Sequence, residues 1–322
     1  MFVLGFQASP RYNGNTNLLL TSFLNKIESF GVKTIKLDVC KLNIKPCIGC
    51  NYCEKEGVCH FKDDMNPYVY SLIKQADFIV AATPIYFYTT NSQFKALIDR
   101  TQALWSRKYI MNLKDPGHSS KNGFLLSLGA TKGKNLFEGI ILTTKYFFDA
   151  ISCKYSGCLT YRHIEKIGDM GKNKDFENDI DQTIDELFKP LIMRKKVLFV
   201  CKENACRSQM ANAFAKSISG KIIVSNCAGS EPALNINENM VSVMQEKGFD
   251  MAYIKPKSIN EAIETASPDY IVTMGCGEVC PTLPGVKHIN WDIDDPSGKS
   301  VEYMRQIRDK IENKVIKLID EL

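Results

Sequence analysis

The stretch VLFVCKENACRSQM, residues 197–210, decides how the chain divides and what its second part is built to do. An apolar run stops at Cys201, Arg207 and Ser208 follow after five residues, and SQMANAFAKSISG continues with helical spacing. A buried strand that feeds a short loop and then a helix brings the loop's N–H groups around one point. The helix N-terminus adds positive potential where a tetrahedral oxyanion would sit. Arg207 can offer a two-pronged guanidinium to two of its oxygens, and the same field favours the thiolate of Cys201, the candidate nucleophile. Asn204 is expected to hold the loop in shape and Ser208 to hydrogen-bond the sulfur. A lone cysteine beside a surface arginine would mean little, but strand, spacing, asparagine, Arg-Ser pair and helix coincide here.

Working outward, the strand pattern restarts at RKKVLFVC after DIDQTIDELFKPLIM, in which Ile180, Ile184, Leu187 and Phe188 recur at helical spacing and Pro190 follows. This predicts two domains, residues 1–190 and 191–322. A chain of 322 residues is also too long for one ordinary core. Strand-like runs are MFVLGFQ, KTIKLDV, DFIVAATPI and GFLLSLG, then KVLFVC, KIIVSNCA, DYIVTMG and VKHINWDI, with helix-like stretches between them. Such alternation predicts α/β domains with doubly wound parallel sheets.

Composition narrows the function. Hydrophobic residues make up 44% and charged residues 24%, an ordinary globular balance. The net charge is +5, and the whole excess lies in the first 190 residues without a dense basic run or interleaved aromatics. Nucleic acid is therefore excluded as a partner and a local anion favoured. No apolar stretch approaches the ~18–20 residues of a membrane span, and MFVLGFQASPR lacks the basic start of a signal peptide. A cytoplasmic protein with no membrane partner is expected. In that reducing setting the 12 cysteines point to metal or redox chemistry rather than to structural disulfides.

Three further segments carry chemistry. GFQASPRYNGNTNLLL is a strand, a polar loop and a helix without the Gly-Lys-Ser/Thr of a nucleotide-triphosphate loop. It is a phosphate cradle for a small cofactor, with Ser9, Arg11, Asn15 and Thr16 as donors. PCIGCNYCEKEGVC spaces Cys47, Cys50, Cys53 and Cys59 as C-x2-C-x2-C-x5-C, which can converge on one metal centre; zinc prefers two separated pairs. TMGCGEVCP places Cys276 and Cys280 after another apolar strand, where a zinc half-site or two inert core thiols are the alternatives to redox thiols. Cys40, Cys153, Cys158 and Cys227 belong to no motif and read as ordinary buried residues.

The Cys201–Arg207–Ser208 loop, with the Asp-Pro of WDIDDPSG, resembles the low-molecular-weight tyrosine phosphatase superfamily, which includes the thiol-dependent arsenate reductases. The resemblance spans about residues 194–322 and implies that Asp295, directly before Pro296, is the acid. Three features favour the reductases: Gln209 where the phosphatases usually carry proline, no aromatic in DPSGKS to stack on a phosphotyrosine ring, and the Cys276/Cys280 pair. The resemblance then implies that Cys201 attacks arsenate, Cys276 attacks the adduct and releases arsenite, and Cys280 resolves the disulfide for a thioredoxin-like reductant. Cys206, inside the loop, does not discriminate.

Residues 1 to about 185 resemble the flavodoxin-like NAD(P)H-dependent FMN reductases and, more closely, the iron–sulfur flavoproteins. The resemblance rests on the first loop, on the cysteine motif and on ADFIVAATPIYFYTTNSQFKALIDR. It implies FMN held by Thr83, Pro84, Ile85, Tyr86 and Phe87, with SLGATKG closing the site. It also implies NAD(P)H as donor, a four-iron four-sulfur cluster on Cys47, Cys50, Cys53 and Cys59, and a homo-oligomer. The expected fold is thus flavodoxin-like, then low-molecular-weight phosphatase-like. The expected activity is an arsenate reductase fused to an FMN-dependent oxidoreductase module; a tyrosine phosphatase fused to a flavoprotein, or a flavin redox sensor with an anion-binding domain, are the alternatives.

Overall fold

The computed structural model describes residues 1–264, 267–275 and 283–322. The chain forms two compact units. One comprises Phe2–Asn112 and Lys121–Ile192; the other comprises Met193–Leu322 together with Met1 and Leu113–Ser120.

The first unit contains the strands β1 (Phe2–Gln7), β2 (Lys33–Asp38), β3 (Phe78–Pro84), β4 (Asn122–Gly129) and β5 (Lys154–Arg162), all parallel, in the order β2-β1-β3-β4-β5. Its helices are α1 (Asn15–Glu28), α2 (Tyr52–Glu56), α3 (Tyr70–Gln75), α4 (Ser92–Arg100), α5 (Gln102–Tyr109), α6 (Glu138–Ala150), α7 (Phe176–Leu187) and α8 (Lys189–Ile192). Strands β1, β3 and β4 are buried along almost their whole length, as sheets covered by helices require. Aromatic rings fill the core, with Phe6, Phe94 and Phe147 in mutual contact and Phe188 on α7's end packed against Phe23 and Phe78.

The second unit has the strands β6 (Lys195–Cys201), β7 (Ile223–Gly229), β8 (Tyr270–Met274) and β9 (Lys287–Asn290), parallel in the order β7-β6-β8-β9. Its helices are α9 (Arg207–Ser219), α10 (Glu238–Glu246), α11 (Ile259–Ile263) and α12 (Val301–Asp320). The fold class is therefore two parallel-sheet α/β units. Every strand-like run read from the sequence forms a strand. KYSGCLTYR, which forms β5, was missed because Gly157 breaks its pattern and, at the sheet edge, most of its residues are only half-buried. QFKALIDRTQALW, read as one helix, is two: α4 ends and α5 begins at Thr101.

Buried strand β6 carries Cys201 into its site, and Phe199, fully buried, anchors it against Trp291 with ring centroids 5.8 Å apart. Phe199→Ala is expected to cost about 3–5 kcal/mol, read as a lowered denaturation midpoint at unchanged slope.

Candidate functional site

Cys201 ends β6, 2% exposed, and two hydrogen-bond partners lie around its sulfur. The Asn204 amide donates to Cys201 Sγ at 3.3 Å, and Ser208 Oγ lies 3.1 Å from it. Asn204 has a left-handed backbone, φ 52°, a conformation asparagine tolerates better than most residues. Its buried side chain is saturated. Nδ2 donates to Ser208 Oγ at 2.7 Å, while Oδ1 accepts from Gln209 Nε2 at 3.0 Å and from the Lys257 amide at 3.0 Å. Helix α9 opens at Arg207 with no side-chain cap and no acidic residue in its first turn, leaving its N-terminal positive potential available to an anion.

Arg207 is 5% exposed and braced by two acceptors on the 291–297 segment: Nη1 donates to Ile293 O at 3.1 Å and Nη2 to Asp295 Oδ2 at 2.8 Å. Asp295 Oδ1 accepts from the Ser297 amide at 3.0 Å. The structure thus joins Asn204 and Ser208 to Cys201, and Asp295 to Arg207, within one unit. Cys276 and Cys280 lie outside the described residues. Burial, reinforced by the nearby Cys201 and Asp295, pushes the Cys206 thiol up to about 12. Burial thus disfavours the thiolate of Cys206.

Three residues of this site were not singled out as functional from sequence. Gln209, noted only as a family marker, ties the loop by donating to Asn204 O at 3.1 Å and to Lys255 O at 3.3 Å as well as to Asn204 Oδ1. Gly229 ends β7 where a Cβ would lie 2.6 Å from Lys202 O and 2.8 Å from Asn204 N, so the loop can pass only over glycine. Tyr303 on α12 donates to Asp294 Oδ2 at 3.2 Å, placing an aromatic at the Asp-Pro segment that the residues after Pro296 do not supply. Neither close approach has a local sequence signal.

In the first unit, the segments after β1 and β3 form a second candidate site. Ser9 Oγ accepts from the Arg11 amide at 3.2 Å, and the Ser9 amide donates to Gln7 Oε1. Helix α1 begins after Gly14 with no side-chain cap and no acidic residue in its first turn. Thr16 is buried there. Asn15 is committed to the chain itself, donating to Lys166 O at 2.8 Å and accepting from the amides of Gly168 and Met170. Arg11, exposed, donates to Glu165 O at 3.1 Å. At the end of β3, Thr83 is fully buried, its hydroxyl 2.6 Å from that of Thr90. Pro84 and Ile85 are half-buried, and Tyr86 pairs with Thr89 across a two-residue turn. Both turn residues, Phe87 (φ 48°) and Tyr88 (φ 64°), are left-handed, where Gly or Asn would be expected. Phe87 is 100% exposed. Strained aromatics held out at strand ends are a feature of ligand clamps, and uncapped α1 with Ser9, Arg11 and Thr16 suits a phosphate. These residues fit FMN.

Cys47, Cys50, Cys53 and Cys59 line one pocket with Phe61 and Arg100. Among the described residues no three His, Cys, Asp or Glu side chains are gathered tightly enough to hold a metal ion. The donor chemistry nevertheless fits a thiolate-ligated centre. Burial pushes the Cys53 thiol up, with Ser106 opposing it by a hydrogen bond. At the pocket's rear Arg100 and Asp63 form a two-pronged ion pair, 1% and 2% exposed. Burial alone would raise the Asp63 carboxyl, but Arg100 and the Lys45 and Met65 amides hold it below the usual range. Of the cysteines outside any motif, Cys153 and Cys227 are buried, Cys40 and Cys158 half-buried.

Two parallel sheets, one carrying Cys201 in a loop before an uncapped helix N-terminus and one with left-handed, exposed aromatics after its third strand, define a two-unit α/β protein. Residues 196–322 match the low molecular weight phosphotyrosine protein phosphatase family and residues 1–126 the NADPH-dependent FMN reductase family. A glutaredoxin arsenate reductase of Synechocystis sp. is 36% identical over 129 residues, 39% of this chain and 96% of that protein. An arsenate reductase of Staphylococcus epidermidis is 36% identical over 124 residues, 37% of this chain and 92% of that one. An iron–sulfur flavoprotein of Methanocaldococcus jannaschii is 39% identical over 104 residues, 32% of this chain, and the match spans 53% of its length. Through its C-terminal part the chain belongs to the low molecular weight phosphatase family, in company with arsenate reductases, and the two families together make it an oxidoreductase. Among the described residues no helix is long and apolar enough to cross a membrane.

Gly229→Ala should displace the 202–204 backbone and abolish protection of Cys201 from alkylation by inorganic phosphate, read by mass spectrometry. Asp63→Asn should cost about 3–5 kcal/mol at neutral pH by leaving Arg100 buried without its partner. Because the Asp63 carboxyl is depressed, its contribution is complete above the ordinary carboxylate range and lost as pH falls through the folded value. Wild type and variant should therefore converge in acid denaturation.

Proposed function

We propose that the chain reduces arsenate to arsenite through a cysteine relay in its C-terminal unit, on a polypeptide whose N-terminal unit is an FMN-dependent NAD(P)H oxidoreductase. The observation that carries the reading is the Cys201 loop, with the Asn204 amide and Ser208 on the sulfur and Arg207 paired to Asp295. Its relatives named arsenate reductases support it.

In this reading arsenate sits on the loop amides and the first turn of α9, beside the Arg207 guanidinium. The Cys201 thiolate attacks arsenic, an As–O bond breaks, and the hydroxyl takes up a proton, delivered through Asp295, and leaves as water. The Cys276 thiolate then attacks Cys201 Sγ. An S–S bond forms, the S–As bond breaks, and its electron pair stays on arsenic, which leaves as arsenite. The Cys280 thiolate attacks Cys276 Sγ and frees Cys201, leaving a Cys276–Cys280 disulfide that carries the two-electron oxidation. A thioredoxin- or glutaredoxin-like thiol protein reduces that disulfide, or the flavin unit does. FMN, when bound, would take two electrons from NAD(P)H. Ser9, Arg11 and Thr16 would hold its phosphate, with Thr83, Pro84, Ile85, Tyr86 and Phe87 beside its ring system. Tethering the two units raises the effective donor concentration, commonly to the millimolar range. Reduced thiols favour a cytoplasmic setting, and wholly exposed Phe87 favours a site completed by a second copy.

Tyr303 beside the Asp-Pro segment favours a second reading, an aryl phosphatase. The same variants separate the two. Cys201→Ser should abolish arsenate reduction, Cys276→Ser should lower it at least a hundredfold, and Cys206→Ala should leave it within a few-fold of wild type. Aryl phosphate hydrolysis that survives Cys276→Ser, with no arsenite formed by wild type, would make the protein a phosphatase.

A further inference from the structure

The cysteine pocket contains a donor that nothing so far employs. Arg100 ends α4, lines the pocket and is 1% exposed. Its terminal nitrogens are taken: Nη1 donates to Lys45 O at 2.8 Å and to Asp63 Oδ2 at 2.6 Å, and Nη2 to Asp63 Oδ1 at 3.0 Å. The guanidinium carbon lies 4.9 Å from the centre of the Phe61 ring. The remaining N–H, at Nε, is buried and has no acceptor among the described residues. A buried guanidinium N–H left unpaired costs about 1–3 kcal/mol, and native structures rarely retain one without a use. A second donor reaches the same pocket. Ser106 on α5 is fully buried, and its Oγ donates to Cys53 Sγ at 3.5 Å.

We propose that Arg100 Nε and Ser106 Oγ are the hydrogen-bond donors to the sulfur atoms of a sulfur-rich anionic centre on Cys47, Cys50, Cys53 and Cys59, and that they raise its reduction potential. This rests on reading the four cysteines as ligands of an iron–sulfur cluster. Asp63 neutralises the charge of Arg100, so the pair brings the centre little net charge, and what remains is one N–H without an acceptor among the described residues. Hydrogen bonds to sulfur favour the reduced, more negative state over the oxidised one, so each donor makes reduction easier. Arg100 and Ser106 are positioning residues in this scheme. They act through the sulfurs and bond no metal.

The test uses full-length protein reconstituted anaerobically with iron and sulfide, in wild-type, Arg100→Lys, Ser106→Ala and doubly substituted forms. Lysine retains the charge opposite Asp63 but has no Nε–H. Iron and sulfide are quantified, and the visible absorption is titrated with dithionite against redox dyes. The expected result is wild-type iron and sulfide in each variant, with the midpoint of the cluster moved to lower potential in each single variant and further in the double variant. An unchanged midpoint in both single variants, with the cluster intact, would overturn the role of the two donors alone. Failure of the wild type to take up iron and sulfide would overturn the cluster reading beneath it. If Arg100→Lys does not hold the cluster, Ser106→Ala decides: a lowered midpoint supports the proposal and an unchanged one overturns it.

Discussion

The carboxamide of Asn204 reaches Ser208, Gln209 and the Lys257 amide at once, from a backbone held left-handed at φ 52°. Because the group is fully buried, none of these bonds competes with water. The loop between β6 and α9 is therefore set before any anion arrives. Its hydrogen-bonding groups already face the Cys201 sulfur, and a site so arranged need not reorganise as charge develops in the transition state. Gly229 supplies the space this packing needs, and Gln209 closes it from the helix side.

The site in the first unit is built on a different principle. Both sites lie beyond the carboxyl ends of parallel strands, where the sheet leaves a crevice, but here shape comes from turn conformation rather than from a saturated amide. Phe87 and Tyr88 occupy backbone angles that aromatic residues rarely adopt, and Phe87 shows its whole side chain to solvent. One loop is thus pre-formed for a small hydrated anion. The other holds apolar surface exposed on a turn whose backbone angles carry strain.

What could be read from the sequence followed the range over which each signal acts. Strand β6, its loop and α9 lie consecutively, so apolar run, spacing and helix start were all visible in one window. Asp295 was legible only because proline follows it. Gly229 and Arg100 were not legible. The first matters because a backbone about two dozen residues earlier crosses it, and the second because Asp63, Lys45 and the cysteines meet it in space. Tyr303 was hidden for a related reason: the aromatic was sought directly after Pro296, and the helix brings one back from further along. Strand β5 escaped because edge strands are only half-buried and need not advertise themselves by apolar runs.

The short segment Leu113–Ser120 belongs to the second unit although the chain on either side of it belongs to the first. Within that unit the Lys114 amide donates to Gly248 O at 2.7 Å, and Lys114 O accepts from the Asp250 amide at 2.8 Å, one rung of a miniature ladder. The polypeptide is consequently interleaved and not strung like beads. A single proteolytic or genetic cut near residue 192 would free a C-terminal piece stripped of this rung, with the turn after α10 unpaired.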